Sequence, residues 1–114
     1  MEDCIFCKII NKKIPASIIY EDEKIIAFDD IKPQAPVHVL LIPKEHYASL
    51  NDVPDGDESI LIHLLLKARQ IAYDKGIGED GYRLVLNTGG NSGQEVFHIH
   101  LHLLGGRRMT WPPG

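Results

Sequence analysis

Apolar residues and histidines alternate strictly between Phe97 and Leu104, with histidines at positions 98, 100 and 102. This period of two predicts a β-strand with one buried face, so the three imidazoles would share the other face at spacings of about 6.6 Å. A solvent-facing strand ordinarily carries Thr, Lys, Glu or Ser, and three histidines in register do not fit that pattern. Because histidine supplies a nucleophile, a proton shuttle or a metal ligand near neutral pH, the cluster indicates chemistry.

Four further segments have the apolar pattern of strands. Ile18–Glu21 and Lys24–Asp29 flank a polar turn and predict a hairpin, and Tyr82–Asn87 predicts another strand. Val37–Pro43 is almost wholly apolar and is interrupted by His38. A lone histidine on an apolar strand is usually a hydrogen-bonded core residue. A central strand beside the histidine strand would nevertheless bring it to the same imidazoles.

Two segments have helical spacing. Residues 4 to about 11 predict a short helix with Asp3 as its cap. A longer helix is predicted behind Asp55 and Glu58, which have the spacing of a capping box, and it ends at Gly76. The apolar positions of this long helix repeat every three or four residues, which predicts one buried face; they are Ile60, Leu61, Leu64, Leu65, Ala68, Ile71 and Ala72.

Two segments have no regular period. Thr88–Gln94 is rich in glycine and leads directly into the histidine strand. Such a loop is commonly a flexible turn, but glycine also lets backbone N–H groups approach a phosphate. The tail Gly105–Gly114 predicts no regular element, and Trp111 beside two prolines indicates docking onto another surface. His63, between the apolar positions of the long helix, is expected to be an exposed or rim residue and is assigned no role.

Composition limits the class of protein. With 114 residues the chain predicts a single domain over 1–114. A formal charge of −4 and a pI near 5.8 argue against a nucleic-acid binder, whereas a small phosphorylated ligand needs only a local site. We expect a cytoplasmic protein without a membrane partner, because neither an apolar leader nor a run of about 18 apolar residues is visible. The spacing of Cys4 and Cys7 suits a metal or redox pair better than a disulfide.

The histidine strand matches a known family pattern. His98–Leu104 reads His-φ-His-φ-His-φ-φ, where φ is an apolar residue. On these residues the chain resembles the histidine triad (HIT) nucleotide-binding proteins of the Hint branch, and the resemblance covers nearly its whole length. Further motifs in the same order are Asp3–Ile10, Phe28–Ile31, Pro33–Pro36 with His38, Ile42–Lys44, Gly93–Gln94 and Trp111–Gly114.

The resemblance implies a fold and an activity. The fold would be an α+β HIT-like subunit with a five-stranded antiparallel sheet, one long helix and one short helix. Two subunits would form a homodimer with a continuous ten-stranded sheet. The activity would be hydrolysis of the P–N bond of purine nucleoside 5′-phosphoramidates, such as adenosine 5′-monophosphoramidate, through a nucleotidyl-histidine intermediate. No organic cofactor is expected.

The resemblance also implies roles for single residues. His100 would be the nucleophile, which is chemically sensible because a neutral imidazole attacks well and leaves well once phosphorylated. His102 would donate to the phosphate oxygens or to the departing amine, and His38 would hold the tautomers of its neighbours. The nucleotide would contact Asp30 at the ribose, Phe6, Ile9, Phe28 and Ile31 at the base, Asn87 and the loop amides of Gly93 and Gln94 at the phosphate, and Trp111 from the partner's tail. Glu95 stands where animal relatives carry a serine, which leaves the preferred leaving group open.

Cys4, Cys7, His46 and His98 would bind a structural zinc ion. Two cysteines at Cys-x-x-Cys spacing and two distant histidines supply the ligands of a closed tetrahedral site, and the chain is similar to bacterial relatives that have one. His98 must then point to the N-terminal helix while the other two histidines face the nucleotide, which a bulge or twist at the start of the strand allows. The alternatives are two small packing residues or a redox pair, although no thioredoxin-like βαβ pattern surrounds them.

Two other functions compete with this hypothesis. His-x-His plus one further histidine is also a good catalytic zinc arrangement, but the sequence shows no acidic residue next to the triad, and the glycine loop would be unexplained. A nucleotide-binding sensor or scaffold without turnover is the second alternative. It predicts nucleotide affinity without product.

Overall fold

A computed structural model describes residues 3–114. The elements, in chain order, are helix α1 (Ile5–Ile10), strands β1 (Ile18–Glu21), β2 (Ile25–Asp29) and β3 (Val37–Pro43), helix α2 (Ser59–Asp74), and strands β4 (Tyr82–Val85) and β5 (Leu101–Gly105). The strands form one sheet in the order β1-β2-β3-β5-β4, and all neighbours are antiparallel. The predicted α+β architecture is confirmed. None of the helices within residues 3–114 is long and apolar enough to span a membrane.

The sheet buries both of its faces. One face packs against α2 through Ile25, Ala27, Val39, Leu41, Leu64, Ala68, Ile71, Ala72, Ile77, Leu101 and Leu103. The other face packs against α1 through Phe6, Ile9, Ile26, Phe28, Leu40 and Ile42. Because side chains alternate between the faces of a strand, even-numbered residues of β3 and β5 lie on the α1 side. His38 and His102 are therefore placed on that side by parity.

Strand β3 is the central strand, which explains its apolar run, since a strand covered on both faces needs no polar alternation. It pairs with β5 so that Leu40 lies opposite His102 and His38 lies opposite Leu104. The sequence hypothesis that His38 lies beside the histidine strand is confirmed.

The hairpin of β1 and β2 closes through Asp22. Its carboxylate accepts the N–H groups of Lys24 at 2.8 Å and Ile25 at 2.9 Å. It also accepts the Tyr20 hydroxyl at 2.6 Å and lies 2.7 Å from Nε2 of His63. His63, which is assigned no role from the sequence, therefore ties α2 to this turn.

The histidine strand is shorter than predicted. Strand β5 begins at Leu101, so His98 and His100 precede it. The expectation that all three imidazoles share one face of a strand is therefore wrong. Pairing with β3 stops near Pro43, because proline has no N–H to donate to the next ladder position. The N–H of Ile99 instead donates to the carbonyl of Tyr47 at 2.7 Å.

The ends of the other elements also differ from the prediction. Helix α1 is capped by Cys4, whose Sγ accepts the N–H of Cys7 at 3.4 Å, and not by Asp3. The capping box ahead of α2 is not formed, because the Glu58 carboxylate accepts the N–H of Gly56. Leu65 lies on the solvent side of α2 and is 47% exposed. Strand β4 ends at Val85, two residues before the predicted end, and α2 ends at Asp74, shortly before Gly76.

Candidate functional site

Neighbouring strands bring His38 and His102 into contact. Nε2 of His38 lies 2.9 Å from Nδ1 of His102. Nδ1 of His38 accepts the backbone N–H of Gln34 at 3.0 Å. Since an amide N–H can only donate, Nδ1 of His38 holds the lone pair and Nε2 holds the proton. His38 therefore donates to Nδ1 of His102, and neutral His102 carries its own proton on Nε2.

His100 has the opposite tautomer arrangement. Its Nδ1 lies 2.8 Å from the carbonyl oxygen of His98. Because a carbonyl can only accept, Nδ1 of His100 carries the proton and Nε2 carries the free lone pair. The ring is 7% exposed, with its centroid 4.9 Å from that of His102 and 5.1 Å from that of Phe6. A free imidazole lone pair thus lies beside an imidazole with an available N–H.

Burial keeps these imidazoles neutral. It is the largest cause that lowers the pKa of His102 to about 4, and the neighbouring His100 and His38 lower it further. Burial also lowers the pKa of His38 and of His100, while the nearby Asp30 carboxylate opposes this effect in both. All three rings are neutral at pH 7, which is the state that a nucleophilic imidazole requires.

Asp30 adjoins the histidines from the end of β2. One carboxylate oxygen lies 3.5 Å from Nε2 of His38, and the other accepts the N–H of Lys32 at 2.8 Å. The expectation that no acidic residue adjoins the triad is wrong. The sequence separation hid this contact, because it depends on the pairing of β2 with β3.

The second cluster contains Cys4, Cys7, His46 and His98, whose ligand atoms all lie within 4.8 Å of one another. Nδ1 of His98 is 3.4 Å and 3.6 Å from the two sulfurs and 3.1 Å from Nδ1 of His46. Metal–ligand bonds of about 2.0–2.3 Å in a tetrahedron place ligand atoms about 3.3–3.8 Å apart, close to these distances. The predicted donor set therefore assembles, and it fits a structural zinc ion.

His98 is preset for this role. It is fully buried, and its Nε2 lies 2.8 Å from the carbonyl of Pro43, so Nε2 carries the proton and Nδ1 the lone pair. Burial is the main cause that lowers its pKa to about 4, so the ring is a neutral ligand at pH 7. The carbonyl of the same residue holds His100. The metal cluster and the nucleophile candidate are therefore linked through one residue.

The residues expected around the base differ in exposure. Phe6, Ile9 and Phe28 are between 4% and 7% exposed and pack in one cluster, with the two phenyl centroids 5.6 Å apart. Phe6 of this cluster contacts the His100 ring. Ile31 is 89% exposed and Trp111 is 82% exposed. The first three form a floor to the site, whereas the last two lie on the protein surface.

The glycine-rich loop is braced from within. The Gln94 amide group donates to the carbonyls of Ala48 at 2.8 Å and Val96 at 3.1 Å, and its oxygen accepts the N–H of Gly89 at 2.8 Å. The N–H of Gly93 donates to Gly90, and that of Gln94 contacts Gly89 more weakly. The N–H groups of Gly93 and Gln94, which the resemblance places at the phosphate, therefore form hydrogen bonds within the loop in this structure.

Asn87 and Glu95 lie at the two ends of the segment that contains this loop. Asn87 follows the end of β4 and is half-buried, whereas Glu95 is exposed. Both stay candidates for substrate contact.

Sequence reasoning missed three residues that orient the histidines. Gln34 sets the tautomer of His38, Pro43 sets that of His98, and Tyr47 anchors Ile99. All three act through backbone groups, which carry no side-chain pattern. Gln34 and Pro43 lie in two of the family motifs, but the sequence does not indicate that their backbone groups set the histidine tautomers.

Comparison with known proteins agrees with this geometry. Residues 3–110 match the family described as "Scavenger mRNA decapping enzyme C-term binding". The chain is 58% identical over 113 residues to an uncharacterized HIT-like protein of Synechocystis sp., covering 99% of this chain and 98% of that protein. It is 52% identical over 112 residues to the 14 kDa zinc-binding protein of Zea mays, covering 96% and 87%. The crystal structure of a HIT family hydrolase from Legionella pneumophila superposes on this chain with a TM-score of 0.96 at 56% sequence identity. The match covers 98% of this chain and 100% of that chain. The chain belongs to the histidine triad family.

Proposed function

We propose that the protein hydrolyses the P–N bond of purine nucleoside 5′-phosphoramidates, as members of the Hint branch do. One observation carries the proposal. Backbone groups set the tautomers so that His100 presents a free Nε2 lone pair beside the Nε2–H of His102. This arrangement supplies a nucleophile and a hydrogen-bond donor to one phosphate.

The reaction would run in two steps. Nε2 of His100 attacks the α-phosphorus and the P–N bond breaks. The leaving nitrogen takes up a proton from solvent and departs as the amine, which leaves a nucleotidyl-histidine. Water then attacks the phosphorus, gives up a proton to solvent and releases the nucleotide, which restores the neutral imidazole. The Nε2–H of His102 stabilises the charge on the phosphate oxygens and assists the departing amine. His38 keeps that proton directed to the substrate, because it occupies the other nitrogen of His102.

The remaining site residues would bind the nucleoside. Asp30 is half-buried next to His38, and a carboxylate there can accept both ribose hydroxyls. The floor of Phe6, Ile9 and Phe28 supplies apolar area to the base without hydrogen bonds that read its identity. Purine selectivity is therefore expected to be modest. Ile31 and Asn87 would contact the base and the phosphate from the rim.

A single incubation tests the activity. Purified zinc-loaded protein is mixed with adenosine 5′-monophosphoramidate, and AMP is followed by ³¹P NMR. We expect AMP to accumulate with wild-type protein. His100→Asn should lower turnover by several orders of magnitude while leaving nucleotide affinity largely intact. His63→Asn is the matched control, since this histidine lies on α2 next to Asp22.

The outcomes separate the proposal from its rivals. Mass spectrometry of quenched reactions should locate the nucleotidyl group on His100, and an adduct on His98 or His102 would contradict the assigned nucleophile. Nucleotide binding without AMP would support the sensor or scaffold alternative instead.

A His-ligated metal hydrolase is the second candidate, because Asp30, His38 and His102 place their ligand atoms within 4.8 Å. The tautomer of His38 argues against it. The Gln34 N–H keeps the lone pair on Nδ1, so Nε2, the atom that faces Asp30 and His102, carries a proton and has no lone pair for a metal. Turnover that rises with added divalent metal and requires Asp30 would favour this candidate.

We also propose a homodimer with a continuous ten-stranded sheet. Strand β4 is an edge strand, and unpaired edges favour association. Helix α2 presents one apolar stripe in which Ile62, Leu65, Leu66 and Tyr73 are 47–57% exposed, as expected of a face that a second copy covers. Trp111 would then reach the partner's active site. Sedimentation at micromolar concentration should give a dimer, and Leu66→Glu should give a monomer.

A further inference from the structure

Gln34 makes three hydrogen bonds in the segment before β3. Its N–H donates to Nδ1 of His38 at 3.0 Å, and its side-chain amide donates to the Lys32 carbonyl at 3.1 Å. Its own carbonyl accepts Nε–H of Arg107 at 2.9 Å. The peptide groups on both sides of Gln34 are therefore anchored, one to the histidine and the other to the arginine.

The backbone places Arg107 over this segment. Strand β5 ends at Gly105, which pairs with Val37 at the start of β3. Gly106 has φ +88°, and a Cβ there would lie 2.9 Å from Cβ of Pro36. The chain thus turns closely around Pro36 in a conformation that favours glycine. Arg107 emerges from this turn next to Gln34, and its guanidinium also donates to the Arg108 carbonyl at 3.2 Å.

We propose that Arg107 is a positioning residue for His102, the hydrogen-bond donor to the substrate phosphate. The inference rests on the proposed function. Arg107 holds the Gln34 peptide groups, Gln34 holds His38 with its proton on Nε2, and His38 occupies Nδ1 of His102. The donor of His102 is thereby left on Nε2, on the side away from His38. Without the guanidinium, the exposed Gln34 segment moves more freely and the N–H of Gln34 meets Nδ1 of His38 for less of the time.

The alternative is that Arg107 only fastens the C-terminal tail. Arg83 already holds that tail, since its guanidinium donates to the Thr110 carbonyl at 3.0 Å. A fastening role predicts a lower melting temperature and unchanged histidine rings. A positioning role predicts a change at His38 itself. It also predicts a loss in kcat with little change in KM, because the donor acts on the transition state and does not bind the nucleoside.

Three variants of the full-length, zinc-loaded protein test the proposal. Arg107→Met keeps an unbranched side chain as far as the position of Nε and removes the donors. Arg107→Lys restores a donor that can reach the Gln34 carbonyl. Arg108→Met is the matched control, because the Arg108 side chain is exposed and the contact above uses only its carbonyl. The two readouts are the ring nitrogens of His38 in long-range ¹H–¹⁵N spectra, and kcat and KM for adenosine 5′-monophosphoramidate.

We expect Arg107→Met to shift Nδ1 of His38 towards the value of a nitrogen without a hydrogen-bond donor. We also expect kcat to fall about fivefold, the effect of one hydrogen bond of ordinary strength, while KM changes less than about twofold. Arg107→Lys should restore both readouts, and Arg108→Met should match the wild type. Unchanged His38 nitrogens and kcat in Arg107→Met would overturn the proposal, as would failure of Arg107→Lys to restore them. The chemical shifts of the His38 ring nitrogens can be measured without turnover. If Arg107→Met changes them in a protein that releases no AMP, the positioning role is supported and the proposed activity is refuted.

Discussion

Acid should destabilise this protein through His102, and the effect can be isolated. The ring is half-buried on the α1 side of the sheet, between His38 and His100. Burial is the main cause that lowers the pKa of His102 from the ordinary value of 6.5 to about 4, and the positive charges that His100 and His38 would carry lower it further. In the unfolded chain the same imidazole returns to the ordinary value. The perturbation is therefore a change of pH between 7 and 4.

The direction follows from proton binding. Between pH 6.5 and pH 4 the unfolded chain binds the His102 proton more readily than the folded chain does, so acid favours unfolding. The stability is fully present above the unfolded pKa and is lost as the pH falls to the folded pKa. At 1.36 kcal/mol per pH unit the full difference corresponds to roughly 3 kcal/mol. Because part of the ring still meets solvent, we expect about 2 kcal/mol.

The assay compares urea unfolding of the wild type and His102→Gln at several pH values between 7 and 4. Acid also releases metal from the Cys/His cluster, but that loss is common to both proteins and cancels in the difference. We expect the wild type to lose about 2 kcal/mol relative to the variant over this range. A difference constant within about 0.5 kcal/mol would refute the reasoning, as would an NMR titration that places the His102 midpoint near 6.5.

Three further predictions concern the metal, the core and the tail. Elemental analysis should find one zinc per chain. Cys7→Ser should lose the metal and lower turnover about 10- to 100-fold, because the metal ligand His98 also positions His100. Full turnover without metal would contradict this link between the metal cluster and His100. Leu103→Ala should lower the free energy of unfolding by about 2–5 kcal/mol, because this side chain is fully buried, and the more exposed Leu50→Ala should cost under about 1 kcal/mol in the same urea titration. Removing the residues after Arg108 should alter the relative kcat/KM for different leaving amines more than the melting temperature, and an unchanged preference would count against a role for the tail.

Local patterns were enough for most of the secondary structure. The apolar run of Val37–Pro43 predicted β3 with its observed bounds, and the polar turn at Asp22 marked the hairpin. The spacing of Leu64, Ala68 and Ile71 marked the buried face of α2. Each of these signals arises within a few residues, because strand and helix periods are set by local backbone geometry. The Cys-x-x-Cys spacing and the family resemblance likewise predicted the cluster of Cys4, Cys7, His46 and His98.

Tertiary structure decided how the histidines are used. The alternating pattern by itself makes the three imidazoles equivalent, and only the zinc hypothesis set His98 apart. The structure gives each ring a different partner. His98 turns to the cysteines, His100 is held by a carbonyl, and His102 is held by His38. The three rings differ because the pairing of β5 with β3 ends near Pro43, after Leu101 has paired with Leu41. Strand pairing joins residues that are distant in the sequence, so the local alternation of apolar and polar residues does not predict where it ends. The tautomers depend in turn on backbone groups of Gln34 and Pro43, which every residue type possesses and which only the folded chain brings to the rings.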